Sequence, residues 1–172
     1  MTYMAMYYIK LAFVKIIYKI SAIHTRWKYD LFRHNYDIHD DFGLSGKDIK
    51  MYGKGKITLA ANGYCGDYCS FEAFEGCEIL VEEGVAISHN VRIYTSSRLT
   101  SFVTKRCGEK YKSGNVRIGR NSWIGANVFI NPGVTIGANS VIGANSVVTT
   151  DVPPGAIYGG VPAKELKSRV KL

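Results

Sequence analysis

An all-β solenoid, in which short strands coil round a triangular core, is the fold class this sequence predicts. Three observations carry that prediction. Between Ile118 and Pro153 an aliphatic residue recurs at every sixth position, at Ile118, Ile124, Ile130, Ile136, Ile142 and Val148. A small or branched residue stands four places after each, at Ser122, Val128, Val134, Ser140, Ser146 and Val152. Gly or Asn directly follows the aliphatic residue in five of the six units. A six-residue period fits neither the helical repeat nor the alternation of one long strand, but it fits strand, turn, strand. Each aliphatic residue then points inward and stacks on its counterpart one coil later. Gly, Asn and Ala take the corners, where the backbone φ turns positive.

The N-terminal part, residues 1–35, reads as a separate helical segment. YYIKLAFVKIIYKI is apolar, with Lys10, Lys15 and Lys19 on one half of a helical wheel. Charge interrupts it too often for a membrane-spanning helix. Two roles stay open: packing on the solenoid or on a neighbouring subunit, or lying in a membrane interface with lysines toward lipid phosphates. Residues 36–56 are polar and Gly-containing and read as a connector with short strands. The solenoid is expected over 57–155. Its early coils keep the step at Leu59, Cys65 and Phe71, lose it through EAFEGCEIL, and resume it at Val81, Ile87 and Ile93. Residues 94–115 form a polar, basic loop, and a loop this long in a tight solenoid is usually functional. Pro153-Pro154-Gly155 end the last coil, and 156–172 read as a tail with a short basic C-terminal helix from about Pro162.

At 172 residues the chain is one domain by length, large enough for a real core. Its net charge of +8 suits nucleic acid, an anionic membrane surface or a phosphate-bearing small molecule. No nucleic-acid-binding motif is present, so nucleic acid ranks last. Cys65, Cys69, Cys77 and Cys107 form no C-x-x-C pair and read as small core residues rather than metal ligands. No secretory signal is recognised, so the chain reads as cytoplasmic and reduced.

The ending WIGANVFINPGVTIGANSVIGANSVVTTDVPPGAIYGGVPAKEL resembles the sugar, or maltose–galactoside, branch of the hexapeptide-repeat acetyltransferases. The resemblance is close over Asn115 to Leu166 and looser over Ile57 to Ile93. It does not reach the N-terminal part. It implies a left-handed parallel β-helix and a homotrimer with active sites between prisms. It also implies acetyl-coenzyme A as acyl donor, no metal, and a sugar, nucleotide-sugar or lipid-linked sugar as acceptor. Ala126 and Ala144 match positions along the pantetheine arm, and Thr149 matches a backbone contact to it. Thr150 departs from the family's Lys at the next position. Lys164 and Lys167 match basic positions near the nucleotide phosphates, and Trp123 matches an aromatic beside donor and acceptor. Ala, Gly and Thr are also simply good corner residues.

Acetyl transfer needs a base to take the acceptor's proton, and His is suited because its ordinary pKa lies near about 6.5. In the resembling branch that His lies in the loop, eight residues after an Asn. Here Asn90 matches the Asn, but the loop position is Arg98, which cannot accept a proton. His89, the sole histidine of the repeats, is the replacement expected. Arg98 then serves acceptor binding or a solvated loop. The leading reading is an acetyl-coenzyme A-dependent O-acetyltransferase acting on a precursor of a bacterial surface polysaccharide. The alternatives are N-acetylation of an amino-sugar nucleotide and a catalytically inactive scaffold. A zinc hydratase on the same fold would need three His ligands, and the repeats offer one.

Overall fold

The computed structural model describes residues 2–99 and 111–168. They form two units, one ending at Asn35 and the other starting at Tyr36. The first is a single helix, α1 (Thr2–Asn35), with no acidic residue in its first turn and Arg33 and His34 in its last, where cations favour the helix dipole. Ile9, Phe13, Ile16, Ile20 and Trp27 are all more than half exposed on it. Among the described residues no helix is long and apolar enough to cross a membrane.

The second unit is the solenoid. Its strands, in chain order, are β1 (Asp37–Ile38), β2 (Gly43–Leu44), β3 (Lys50–Tyr52), β4 (Lys56–Leu59), β5 (Tyr64–Cys65), β6 (Ser70–Glu72), β7 (Glu78–Val81), β8 (Ala86–Ile87) and β9 (Arg92–Tyr94). After them come β10 (Ser96–Arg98), β11 (Tyr111–Ser113), β12 (Val116–Ile118), β13 (Trp123–Ile124), β14 (Phe129–Ile130), β15 (Thr135–Ile136), β16 (Val141–Ile142), β17 (Val147–Val148), β18 (Ala156–Gly159) and β19 (Lys164–Ser168). Three consecutive strands make one coil, and the coils stack in parallel into three faces. The first face is β1-β4-β7-β12-β15, and the third is β3-β6-β9-β14-β17. The second face, β2-β5-β8-β13-β16-β18-β19, is two strands longer. This is a parallel β-solenoid of about five turns, of the left-handed β-helix class.

The six-residue step works because each hexad crosses one face. Ile118, Ile136 and Val81 stack on the first face, Ile87, Ile124 and Ile142 on the second, and Ile93, Ile130 and Val148 on the third. All nine are at most 1% exposed, and burying each aliphatic side chain contributes about 1.5–3 kcal/mol. Cys65 and Cys69 fill the two inward positions of one hexad and are fully buried. Cys107 lies outside the described residues. The buried hydroxyls Ser122, Ser140 and Ser146 each donate to a backbone carbonyl, of Gly137, Pro153 and Gly143 respectively, so their burial costs little.

Two expectations need correction. The first coil begins at Asp37, not near residue 57, because β1, β2 and β3 pair with β4, β5 and β6. Ile38, Leu44 and Met51 point the way inward there, but an extra residue between Leu44 and Met51 breaks the six-residue step, and pairing with the next coil fixes the register. Up to Ser168, the last described residue, the C-terminal segment is not a helix. Lys164–Ser168 is strand β19, which folds back antiparallel on β18. Without it β18 would leave an open strand edge, and pairing that edge overrides the helical propensity of AKELKS. The loop starts and ends as an antiparallel hairpin, β10 with β11, and its middle lies outside the described residues.

Candidate functional site

One corner of the prism, between the second and third faces, gathers His89, Asn90, Ala126 and Ala144 of the expected site residues. The backbone carbonyls of Lys47, Asp67, His89 and Ala126 accept from Tyr68, Asn90, Asn127 and Asn145 in the coil above. Lys47, Asp67, His89, Ala126 and Ala144 are therefore equivalent corner positions in successive coils. Neighbouring coils lie about 4.8 Å apart, which puts His89 one coil below Ala126 and about 10 Å from Ala144. Beside this column runs a second one, Asp48, Tyr68, Asn90, Asn127 and Asn145, with φ of 51, 61, 56, 59 and 60°. Asn tolerates that left-handed turn better than most residues. Asn90 donates to Asn127 Oδ1 and Asn127 to Asn145 Oδ1, both at 2.9 Å, so a ladder of amides stiffens the edge.

His89 is held in place by Gly66 and Asp67. A Cβ on Gly66 would lie 2.7 Å from His89 Nδ1, so only glycine leaves room for the ring. The Asp67 backbone N–H donates to Nδ1 at 2.9 Å, and an Asp67 carboxylate oxygen lies 3.8 Å from the same atom. With Nδ1 accepting an amide proton, the neutral ring carries its own proton on Nε2. A base acting through Nε2 needs the other tautomer. The Asp67 carboxylate, 3.8 Å from Nδ1, is the group that would accept from Nδ1–H. The side chain of His89 is 67% exposed, open to an acceptor.

Beside this corner the third face carries a groove of about 990 Å³, whose walls include His89, Asn90, Lys50, Tyr52, Arg92 and Tyr94. Tyr52 is hydrogen-bonded to Tyr94 and Ser70, and burial, reinforced by the Tyr94 bond, raises its pKa, so it stays protonated. Above the groove the outward residues of the same face turn apolar. They are Phe129, packed edge-on against Tyr94 at 5.3 Å, and Val147. The small corner side chains of Ala126 and Ala144 flank this apolar strip and leave the backbone accessible. That is the character the extended, amide-bearing arm of coenzyme A requires.

Other expected residues are dispersed. Trp123 stands on the second face, across the corner, 53% exposed, and its Nε1 donates to Ser88 Oγ at 3.2 Å. Thr149 and Thr150 follow β17 at the opposite edge of the third face. Lys164 and Lys167 lie on β19, the outermost strand of the second face. Arg98 is in the hairpin, its guanidinium 5.9 Å from the Tyr111 ring centre, and it is not among the residues lining the groove. Sequence reasoning missed Asp67, Lys50, Tyr52, Arg92 and Tyr94. Asp67 was legible in principle, since it precedes His89 by one irregular coil. Among the described residues no cluster of His, Cys, Asp and Glu is placed to hold a metal.

Comparison with known proteins agrees with this fold. The family model described as bacterial transferase hexapeptide (six repeats) matches residues 115–150. No curated protein sequence matches the chain. A hexapeptide-repeat acetyltransferase of Vibrio cholerae, solved in complex with acetyl coenzyme A, is 31% identical over 85% of this chain and 78% of its own, with a TM-score of 0.71. A galactoside acetyltransferase in complex with coenzyme A is 30% identical over 81% of this chain and 68% of its own, with a TM-score of 0.68. A maltose O-acetyltransferase of Clostridium difficile is 29% identical over 88% and 89%, with a TM-score of 0.61. The chain therefore belongs to the hexapeptide-repeat acetyltransferases and is an acyltransferase.

Proposed function

We propose that the protein O-acetylates a sugar that serves as precursor of a bacterial surface polysaccharide, with His89 as general base. The observation that carries this reading is the corner column, in which His89 sits directly below Ala126 and Ala144. When bound, coenzyme A supplies the acetyl thioester, with Ala126, Ala144 and the backbone of Thr149 lining its arm and Lys164 and Lys167 near its phosphates. The acceptor enters beside His89 and Asn90, with Trp123 across the corner. The exposed His89 ring first exchanges its proton with solvent from Nε2 to Nδ1, which donates to the Asp67 carboxylate, and the freed Nε2 takes the acceptor's hydroxyl proton. The acceptor oxygen bonds to the acetyl carbon, the C–S bond breaks, and the thiolate leaves with the proton from Nε2. The change of partner accompanies substrate binding, since catalytic hydrogen bonds often tighten in the complex.

The site is completed by neighbouring subunits of a homotrimer in this reading, because the groove is open along one side of a single prism. Arg98, carried outward on the hairpin, then contributes to the acceptor pocket of a neighbour. The helix α1 makes peripheral contact with the cytoplasmic face of a membrane. Lys10, Lys15, Lys19, Arg26 and Lys28 precede its first acidic residue, Asp30, among exposed apolar side chains.

The test is turnover with acetyl-coenzyme A and a panel of sugars and sugar nucleotides, read as thiol release and as acetylated product by mass spectrometry. His89→Ala should lower kcat by about two to four powers of ten, the typical worth of a positioned base. Asp67→Asn should lower it less and leave the donor KM unchanged. Ala144→Phe should raise the donor KM. A single-chain mass by light scattering, or wild-type turnover in His89→Ala, would overturn the reading. Product formed only with amino sugars would move it to N-acetylation.

A further inference from the structure

The lower half of the third face has a feature that acetyl transfer to a plain sugar does not need. Lys50, Ser70 and Arg92 are register partners on three adjacent strands, β3, β6 and β9. Strand spacing of about 4.8 Å puts the Lys50 and Arg92 backbones about 10 Å apart on one face. Ser70 between them is 7% exposed and short, so the two long cationic side chains can close over it from either side. Among the described ion pairs neither Lys50 nor Arg92 takes part. Two cations on one strip repel each other when no anion lies between them. The acid on the next register position is occupied, since Glu72 accepts from the amides of Thr95 and Ser96 and from the Ser96 hydroxyl. One carboxylate, Asp48, lies among the groove residues, at the corner end. Tyr52, Tyr68 and Tyr94 line the same groove and offer aromatic surface for a ring next to the charge.

We infer that the Lys50–Ser70–Arg92 ladder is a phosphate-binding subsite and that the acceptor is a phosphorylated sugar, held by its phosphate or pyrophosphate while the hydroxyl to be acetylated meets His89. The arrangement suits this class. Arg92 can make paired hydrogen bonds to phosphate oxygens and Lys50 adds a point charge. The Ser70 hydroxyl between them is bonded to Tyr52, and Tyr52 to Tyr94, so the two cations carry the phosphate. The groove volume of about 990 Å³ is ample for a sugar and a diphosphate. The inference rests on the acceptor entering beside His89, as proposed above. A diphosphate sugar can come from a soluble nucleotide or from a lipid carrier, and the two share the chemistry this ladder reads.

Calorimetric titration of the full-length protein with inorganic pyrophosphate tests it, with coenzyme A kept saturating so that the donor's own phosphate sites are filled. The expected result is binding that weakens as salt rises and weakens about tenfold in Lys50→Ala and in Arg92→Ala. Arg92→Lys should retain more affinity than Arg92→Ala. Coenzyme A binding should stay at the wild-type level in every variant, which shows that each is folded. Uridine diphosphate competing better than farnesyl diphosphate assigns the nucleotide source, and the reverse assigns the lipid carrier. Absence of pyrophosphate binding, or equal binding in the double alanine variant, overturns the inference. Unphosphorylated sugars acetylated with a KM that both alanine variants leave unchanged also overturn it, while acetyl transfer itself stands. Pyrophosphate binding as expected, with no phosphorylated sugar acetylated, upholds the ladder and removes the acetylation reading instead.

Discussion

Replacing Gly66 by Ala should disable the site without touching any group that performs chemistry. The added Cβ would lie 2.7 Å from His89 Nδ1 and 3.1 Å from both Cε1 and the His89 backbone nitrogen. Ordinary contact begins near 3.4 Å, so the ring must move away by about 0.7 Å. The donor to Nδ1 is the amide of the very next residue, Asp67, at 2.9 Å. Moving off Gly66 therefore also stretches that bond, to about 3.6 Å, where it no longer counts as a hydrogen bond. Losing it costs about 0.5–1.5 kcal/mol of stability, a shift of a few degrees in Tm for a chain of this size. The effect on turnover should be larger. A displacement near 1 Å of a catalytic group can cost about a hundredfold, so kcat should fall by roughly that factor. The acetyl-coenzyme A KM should hold, because Ala126 and Ala144 lie in coils above. Thiol release measured against both substrates, alongside a thermal melt, separates these effects. Wild-type kcat in a folded Gly66→Ala protein would show that the position of His89 does not matter, and the reasoning would fail.

Gly125 and Gly143 hold the same repeat position one coil apart but should respond unequally to alanine. At Gly125 the new Cβ would meet the Ala144 amide nitrogen at 2.6 Å and the Ile142 carbonyl at 2.8 Å, whereas at Gly143 its nearest neighbour is 3.5 Å away. Thermal melts should show a loss of about 1–3 kcal/mol for Gly125→Ala and almost none for Gly143→Ala. For Glu82, burial raises the pKa, but the Arg117 side chain and the Arg120 amide outweigh it and hold the carboxyl below its usual range. Its stabilising share is thus full above the unfolded value near 4.5 and disappears as pH falls through the lowered folded value. Because Arg117 is 59% exposed, Glu82→Gln should cost no more than about 1 kcal/mol at pH 7, and the Tm gap to wild type should close in acid. Burial pushes the thiol pKa of Cys65 and Cys69 upward. Iodoacetamide at neutral pH should leave both unlabelled in the folded protein and modify both in denaturant, as peptide mass mapping would show.

Some of this protein is written in its sequence and some is not. The hexads from Ile118 to Val148 specify a solenoid by themselves, because every sixth side chain must be aliphatic to enter a narrow core. Corner residues are legible for a related reason: Asn127 and Asn145 sit where φ is positive, and few other side chains accept that. His89 was visible as a candidate because it is the sole histidine of the repeats and stands at an outward corner beside Asn90. The partners of His89 were not visible. Gly66 and Asp67 lie one coil below it, and the irregular turn between Phe71 and Val81 breaks the count that would have aligned them. The same break hides the ladder of Lys50, Ser70 and Arg92, which becomes a ladder only once β3, β6 and β9 are in register. The first coil and the C-terminal strand were decided by tertiary structure too. The first coil steps by six from Ile38 to Leu44 but by seven to Met51, which breaks the period, and β19 is a strand because β18 offers it an edge. Inward positions are fixed by the chemistry of each residue alone. Outward ones acquire meaning from what the adjacent coil sets beside them, and that neighbour is set by the length of each turn.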